Sequence, residues 1–175
     1  MFKTASAIAF SEAWRALRGD ASMPHYRTVF NELPSEFLPR ILVIEEAPEE
    51  KFVIRFMGTS RAEMWGQELT GKDSLSVMAY PVASAARRNL ITMLTHLCGL
   101  YHVAHYSMPS GREVMMEHLT VPVANEPGLP RRVINFAEEL TTMAFGDEPV
   151  GEVRSVVRRV WVDVGAGVPD HQPAN

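Results

Sequence analysis

The order of its β-rich runs constrains this chain most. Ile41 to Glu46 and Lys51 to Met57 are joined by Ala47-Pro48-Glu49-Glu50, a link suited to a hairpin. Three further runs, Leu100 to Met108, Arg112 to Ala124 and Arg131 to Leu140, follow one another through Pro109-Ser110-Gly111 and Asn125 to Pro130. Between the two groups lies one long helical segment, about Val82 to Cys98, opened by Pro81 and stopped by Gly99. Its Leu90, Ile91, Leu94, Leu97 and Cys98 share a face. Short links make antiparallel neighbours, and a helix-length insertion divides two strands from three. The pattern predicts an α+β fold: a five-stranded antiparallel sheet with helices on one face.

The flanks add to this core. From Ser6 to Arg18, Phe10, Trp14 and Leu17 recur at helical spacing and Gly19 supplies a stop, which predicts an N-terminal amphipathic helix. Pro24, Pro34 and Pro39 then punctuate what reads as an extended arm with one short helical turn. Gly58, Gly66 and Gly71 break the region before Pro81 into short helices. Val153 to Val164 fits either a sixth strand or an appended helix, and Gly165 to Asn175 reads as a loose tail. The expected division is an N-terminal helix and arm (1–39), a core (40–141) and a C-terminal extension (142–175).

Composition narrows the function classes. The chain has 175 residues, a formal net charge of −4 and one cysteine, so a disulfide framework is not expected. No apolar run reaches the roughly 18 residues of a membrane span, and no Lys/Arg block suggests a nucleic-acid arm. Glu12 and Arg15 interrupt the apolar start before a signal-peptide core forms, so a cytoplasmic protein is expected. Neither a Gly-x-Ser-x-Gly elbow, a Walker loop nor a Gly-x-Gly-x-x-Gly turn occurs.

The chemistry-bearing residues are few. His102 and His105 fall on opposite faces of their strand, and Glu117-His118 matches no zinc motif, so no metal site is expected. His96 lies opposite the apolar stripe of the long helix and should face solvent, while Cys98 falls on the apolar side as a small buried hydrophobe. Arg55 interrupts an apolar strand just before Gly58-Thr59; it reads either as an anchor for an anionic or carbonyl ligand or as an ion-pair partner of Glu113 or Glu117. A small acid/base enzyme using His118 with Glu113 or Glu117 is disfavoured, because both carboxylates have the wrong strand parity. Phe10, Trp14 and Leu17 either dock the first helix on its own sheet or form an interface with a second copy.

Two strands, short helices with one long helix, and three strands is an order that resembles a PAS domain. The detailed resemblance is to a proteobacterial, mainly alphaproteobacterial, subfamily of stand-alone PAS proteins. It rests on Trp14-Arg15-Ala16-Leu17-Arg18-Gly19, Met23-Pro24, Leu33-Pro34 with Leu38-Pro39, Phe52 to Phe56 running into Gly58-Thr59, and Trp65-Gly66 with Leu69-Thr70-Gly71. The resemblance implies a small-molecule cavity between sheet and helices and a role in bacterial signal transduction, not an enzyme. Candidate ligand-binding residues are Arg55, Thr59, Trp65, His102, Tyr106 and His118. The partners implied are a small molecule, a second copy in a homodimer or a signalling protein; a structural dimerisation module without ligand is the alternative. The cofactor is unknown: haem is not supported given the phase of His96, nor flavin, because Cys98 lacks the Asn-Cys-Arg context of photoactive flavin PAS domains.

Overall fold

In the computed structural model, which describes residues 2–145 and 152–175, the first helix, α1 (Ala5–Arg18), begins at Thr4. The Thr4 hydroxyl accepts from the Ala7 amide at 3.1 Å, and Gly19 ends the helix at φ 55°, a conformation that costs glycine little. The inward face of α1 buries Ala7, Phe10 and Trp14 on the chain's own sheet. The Phe10 ring stacks on Phe136 at 4.8 Å and meets Phe37 edge-on at 5.6 Å. Of the two arrangements open for Phe10, Trp14 and Leu17, the molecule adopts the intramolecular one; Leu17 packs half-buried beside the same cluster.

The proline-punctuated arm departs from expectation. It folds as α2 (Tyr26–Glu32), capped by the His25 ring accepting from the Arg27 amide, followed by a 3-10 segment, Ser35–Arg40. A seven-residue helix is marginal alone, so burial of Val29 and Phe37 against the sheet is what holds these turns.

Six strands are described: β1 (Ile41–Ala47), β2 (Lys51–Met57), β3 (Gly99–Ser107), β4 (Arg112–Val123), β5 (Arg132–Phe145) and β6 (Glu152–Val162). Their order across the sheet is β2-β1-β5-β4-β3-β6, with every neighbouring pair antiparallel. The expected count of five is therefore corrected to six. Val153 to Val162 is a strand rather than a helix, because it pairs along the edge of β3 that a five-stranded sheet would leave open, with Gly99 opposite Val162 and Tyr106 opposite Val153. The expected extension boundary at 142 falls inside β5, and residues 146–151 of that extension lie outside the described residues.

A second correction concerns the faces. Helices cover both sides of the sheet, not one. α1, α2 and the Ser35–Arg40 segment pack on the face bearing Ile41, Val43, Tyr101, Leu119 and Phe136. The other face carries α3 (Thr59–Trp65), a 3-10 segment (Ser74–Val77) and α4 (Tyr80–His96), packed over Leu42, Ile44, Ile54, Leu100 and Ala137. The unbroken run Ile41-Leu42-Val43-Ile44 is the local reason: a strand apolar at every position requires cover on both sides.

Two joints fix the layers. Gly58, between β2 and α3, passes so close to the Ser35–Arg40 segment that a Cβ there would lie 2.2 Å from the Leu38 carbonyl oxygen. The C-terminal segment, expected to be loose, is docked: the Trp161 indole donates to the His171 carbonyl at 2.8 Å. The Asn89 side chain, on α4, exchanges two hydrogen bonds with the backbone of Ala174, at 2.7 and 3.1 Å.

Candidate functional site

Between the sheet and the α3–α4 layer lies a cavity of about 100 Å³. α3 supplies Arg61 and Trp65, four residues apart and so on one helix face, both buried. β3 supplies His102 and Tyr106, β4 His118 and Thr120, and β5 Asn135, all inward by strand alternation. α4 contributes Asn89, Leu90 and Met93, and β6 contributes Val153, Val156 and Arg159. Most of the lining is apolar. Its polar groups form a stripe across the centre of the sheet.

That stripe is a connected network. Arg61 donates to the Asn135 carbonyl oxygen at 3.2 Å, which fixes the amide's orientation because a guanidinium has no acceptor. The Asn135 amino group then donates to the Thr120 hydroxyl at 2.9 Å. The same Asn135 oxygen lies 3.3 Å from Nδ1 of His118, so Nδ1 carries the proton. His118 is neutral, and its bare Nε2 accepts from the Tyr106 hydroxyl at 2.9 Å. His102 stacks on His118 with ring centroids 4.4 Å apart and planes within 2°, and the Tyr106 ring lies 5.4 Å from His118 at an interplanar angle of 23°. Trp65 meets Tyr106 edge-on at 6.0 Å.

Burial sets the electrostatics. It pushes His102 down to about 3, helped by the nearby Arg159 and Arg61 guanidinium groups, so the ring is uncharged near neutrality. His118 is held well below the usual histidine range, first by burial, then by His102 and Arg61, against the hydrogen bond to Asn135. Burial raises the Tyr106 phenol to about 12. Three polar atoms at the cavity, Arg61 Nε, His102 Nδ1 and Ser74 Oγ, are buried without a hydrogen-bond partner in the protein.

The candidate residues divide. Trp65, His102, Tyr106 and His118 line the cavity together, but Arg55 and Thr59 do not. Arg55 is exposed on β2 and pairs with Glu45 at 2.7 Å, rather than with Glu113 or Glu117. Thr59 is exposed in the first turn of α3. His96 is exposed at the end of α4, and Cys98 is fully buried with its thiol raised by burial to about 11. Arg61, Asn135, Thr120, Asn89 and Ser74 escaped the sequence reading. Arg61 was legible as the residue one helical turn before Trp65, and Asn135 as a polar residue in phase with Val133 and Ala137.

His118 and Glu117 point to opposite faces, which separates the acid/base pair. Glu117 is fully buried under α1, where its carboxylate accepts from the Lys3 and Thr4 amides at 2.8 and 2.7 Å and from the Tyr101 hydroxyl at 3.2 Å. Glu113 pairs with His105. Among the described residues no three His, Cys, Asp or Glu side chains group as a metal set, and no helix is long and apolar enough to cross a membrane.

A family model described as a PAS domain matches residues 2–136. No curated protein matches the sequence. Among solved structures the chain is similar to VqmA bound to DPO, at 15% identity and a TM-score of 0.45, over 65% of this chain and 56% of that one. It is also similar to a Vibrio cholerae VqmA dimer in the absence of target DNA, at 15% identity and 0.42, over 66% and 50%. A Vibrio cholera VqmA–ligand–DNA complex gives 15% and 0.42, over 67% and 51%. The chain spans about half the length of the solved structures it matches.

Proposed function

The chain belongs to the PAS domain family, and from that premise we propose that it is a bacterial sensory or regulatory protein whose internal cavity binds a small molecule. Binding then shifts how the protein associates with a partner, which requires that the ligand favour one state over the other. The observation that carries this reading is the cavity itself, with three buried polar atoms that the protein leaves unpartnered. Buried polar groups in a fold are nearly always satisfied by protein or ordered water, and these three share one cavity, so an occupant there would complete their hydrogen bonding. The proposed ligand-binding residues are Arg61, Trp65, His102, Tyr106, His118 and Asn135.

The reading is non-catalytic. The paired groups that would do acid/base work, His118 and Glu117, are divided by the sheet. Placement in the proteobacterial PAS subfamily and a cytoplasmic location belong to the same proposal. So does association with a second copy or a signalling partner through surfaces other than Phe10 and Trp14, which are consumed by the fold.

Ligand-observed NMR with a small-fragment library tests the proposal. The expected result is a set of fragments that bind the wild-type protein and are lost on Ala86→Leu, which fills the cavity wall. Fragments that bind both proteins alike would place the ligand elsewhere and refute the reading.

A further inference from the structure

We infer that the cavity is a receptor for a small organic carboxylate held on Arg61. The inference rests on the ligand-binding reading above and names its chemical class.

Charge imbalance is the first observation. Arg61 is 4% exposed, and among the described residues it makes no ion pair. The cavity lining holds a second guanidinium, Arg159, and neither Asp nor Glu. Both lining histidines are neutral and could not offset a cation in either protonation state, so no anionic group in the wall compensates for Arg61. Folds seldom bury an unpaired cation, because its desolvation outweighs any single hydrogen bond from a neutral neighbour. Here the only protein acceptor described for Arg61 is the Asn135 amide oxygen at 3.2 Å.

Donor geometry is the second. Arg61 Nε is unpartnered, and Ser74, also 4% exposed, has an unpartnered hydroxyl at the same cavity. A carboxylate is an acceptor only and matches a guanidinium fork with two oxygens. A neutral amide would match one donor and waste the other face. The rest of the wall, including Ile54, Leu90 and Met93, is apolar and suits a hydrocarbon body.

Size is the third. A cavity of about 100 Å³ is smaller than the roughly 150 Å³ that holds a benzene ring, which sets about six non-hydrogen atoms as the upper bound for the enclosed part of an occupant. Short aliphatic acids of up to about six non-hydrogen atoms fit within that bound.

The test is a thermal-shift and calorimetric comparison on the full chain, using propionate, butyrate and isobutyrate against propionamide, butyramide, isobutanol and inorganic phosphate. At about a hundredfold excess over Kd, a bound acid should raise the unfolding midpoint by about 5–10 °C, with no comparable shift from the matched amides. Arg61→Met should weaken acid binding by about 30-fold or more, while leaving the ligand-free midpoint unchanged or higher, since the variant no longer desolvates a cation. Arg61→Lys keeps the charge without the fork and should retain weakened binding. A purely structural Arg61 would give the opposite pattern: a lower ligand-free midpoint and an undiminished acid response. If amides or alcohols bind and acids do not, or if phosphate alone binds, the cavity reading survives and the carboxylate inference is overturned. If nothing in the panel or in the fragment library binds, both fall.

Discussion

Replacing His102 by Phe should flatten the acid limb of the stability curve, and the size of the effect follows from the buried network. In the folded protein burial and two guanidinium groups hold His102 at about 3, whereas an unfolded histidine titrates near 6.5. Between those values the unfolded chain binds the proton and the folded one does not, so stability falls as pH drops below about 6.5. From about pH 7 to about pH 5 a histidine that stays neutral in the fold contributes a loss of about 2 kcal/mol. His118, held well below the usual histidine range first by burial, contributes in the same direction. His102→Phe keeps a planar ring against His118 and breaks no hydrogen bond of the protein, because His102 Nδ1 has no partner. The variant should therefore lose about 2 kcal/mol less than the wild type over that interval, measured by urea unfolding at each pH. Equal losses in the two proteins would mean that His102 is charged in the fold, and the electrostatic account of the cavity would be wrong.

Three further outcomes follow from the packing. Phe10→Ala removes a fully buried ring from between Phe136 and Phe37 and should cost about 3–5 kcal/mol by chemical denaturation, whereas a helix used only as a dimer interface would leave monomer stability nearly untouched. Glu117→Gln weakens the acceptor shared by the Lys3 and Thr4 amides just ahead of α1 and by Tyr101; a loss of about 2–4 kcal/mol is expected, with hydrogen exchange fastest at Thr4 to Ile8, and protection unchanged there would contradict the role assigned to this carboxylate. Gly58→Ala sets a methyl against the Leu38 and Pro39 carbonyls and should destabilise by at least about 2 kcal/mol, although φ at this position is an ordinary −66°.

Local signals carried much of this architecture. Periodicity placed α1, the long helix and the first five strands, because each combines a pattern of one period with an end signal: Gly19, Pro81, Gly99 and the Pro109-Ser110-Gly111 turn. What periodicity could not carry is cover. Whether Phe10 and Trp14 meet their own sheet or another chain depends on long-range packing, yet the two-faced apolar run Ile41 to Ile44 already required a second layer. β6 was ambiguous because Val156 and Val157, adjacent in sequence, are half-buried and exposed, which blurs the alternation of an edge strand. At the site, strand parity parted His118 from Glu117, whereas the common face of His102, Tyr106 and His118 depends on the register between β3 and β4, which alternation within one strand does not fix. Of the two readings of Arg55, anchor or ion pair, the pair is the one formed, but with the buried Glu45 carboxylate of the neighbouring strand and away from the cavity, rather than with Glu113 or Glu117. Arg61 was missed for the reverse reason: arginines on short helices are usually solvated, and only its phase with Trp65 marks it as buried.

The central claim is that the cavity between the sheet and α3–α4 holds a small molecule. Chemical-shift mapping on isotopically labelled protein tests it most directly, with a fragment whose binding is lost on Ala86→Leu as the probe. The account predicts saturable shifts at the Trp65 indole, the Asn135 side-chain amide and the backbone amides of His102, Tyr106 and His118, with Trp14 and the α1 face unmoved. Saturable shifts confined to the α1 face or the outer surface, with the cavity residues silent, would contradict it.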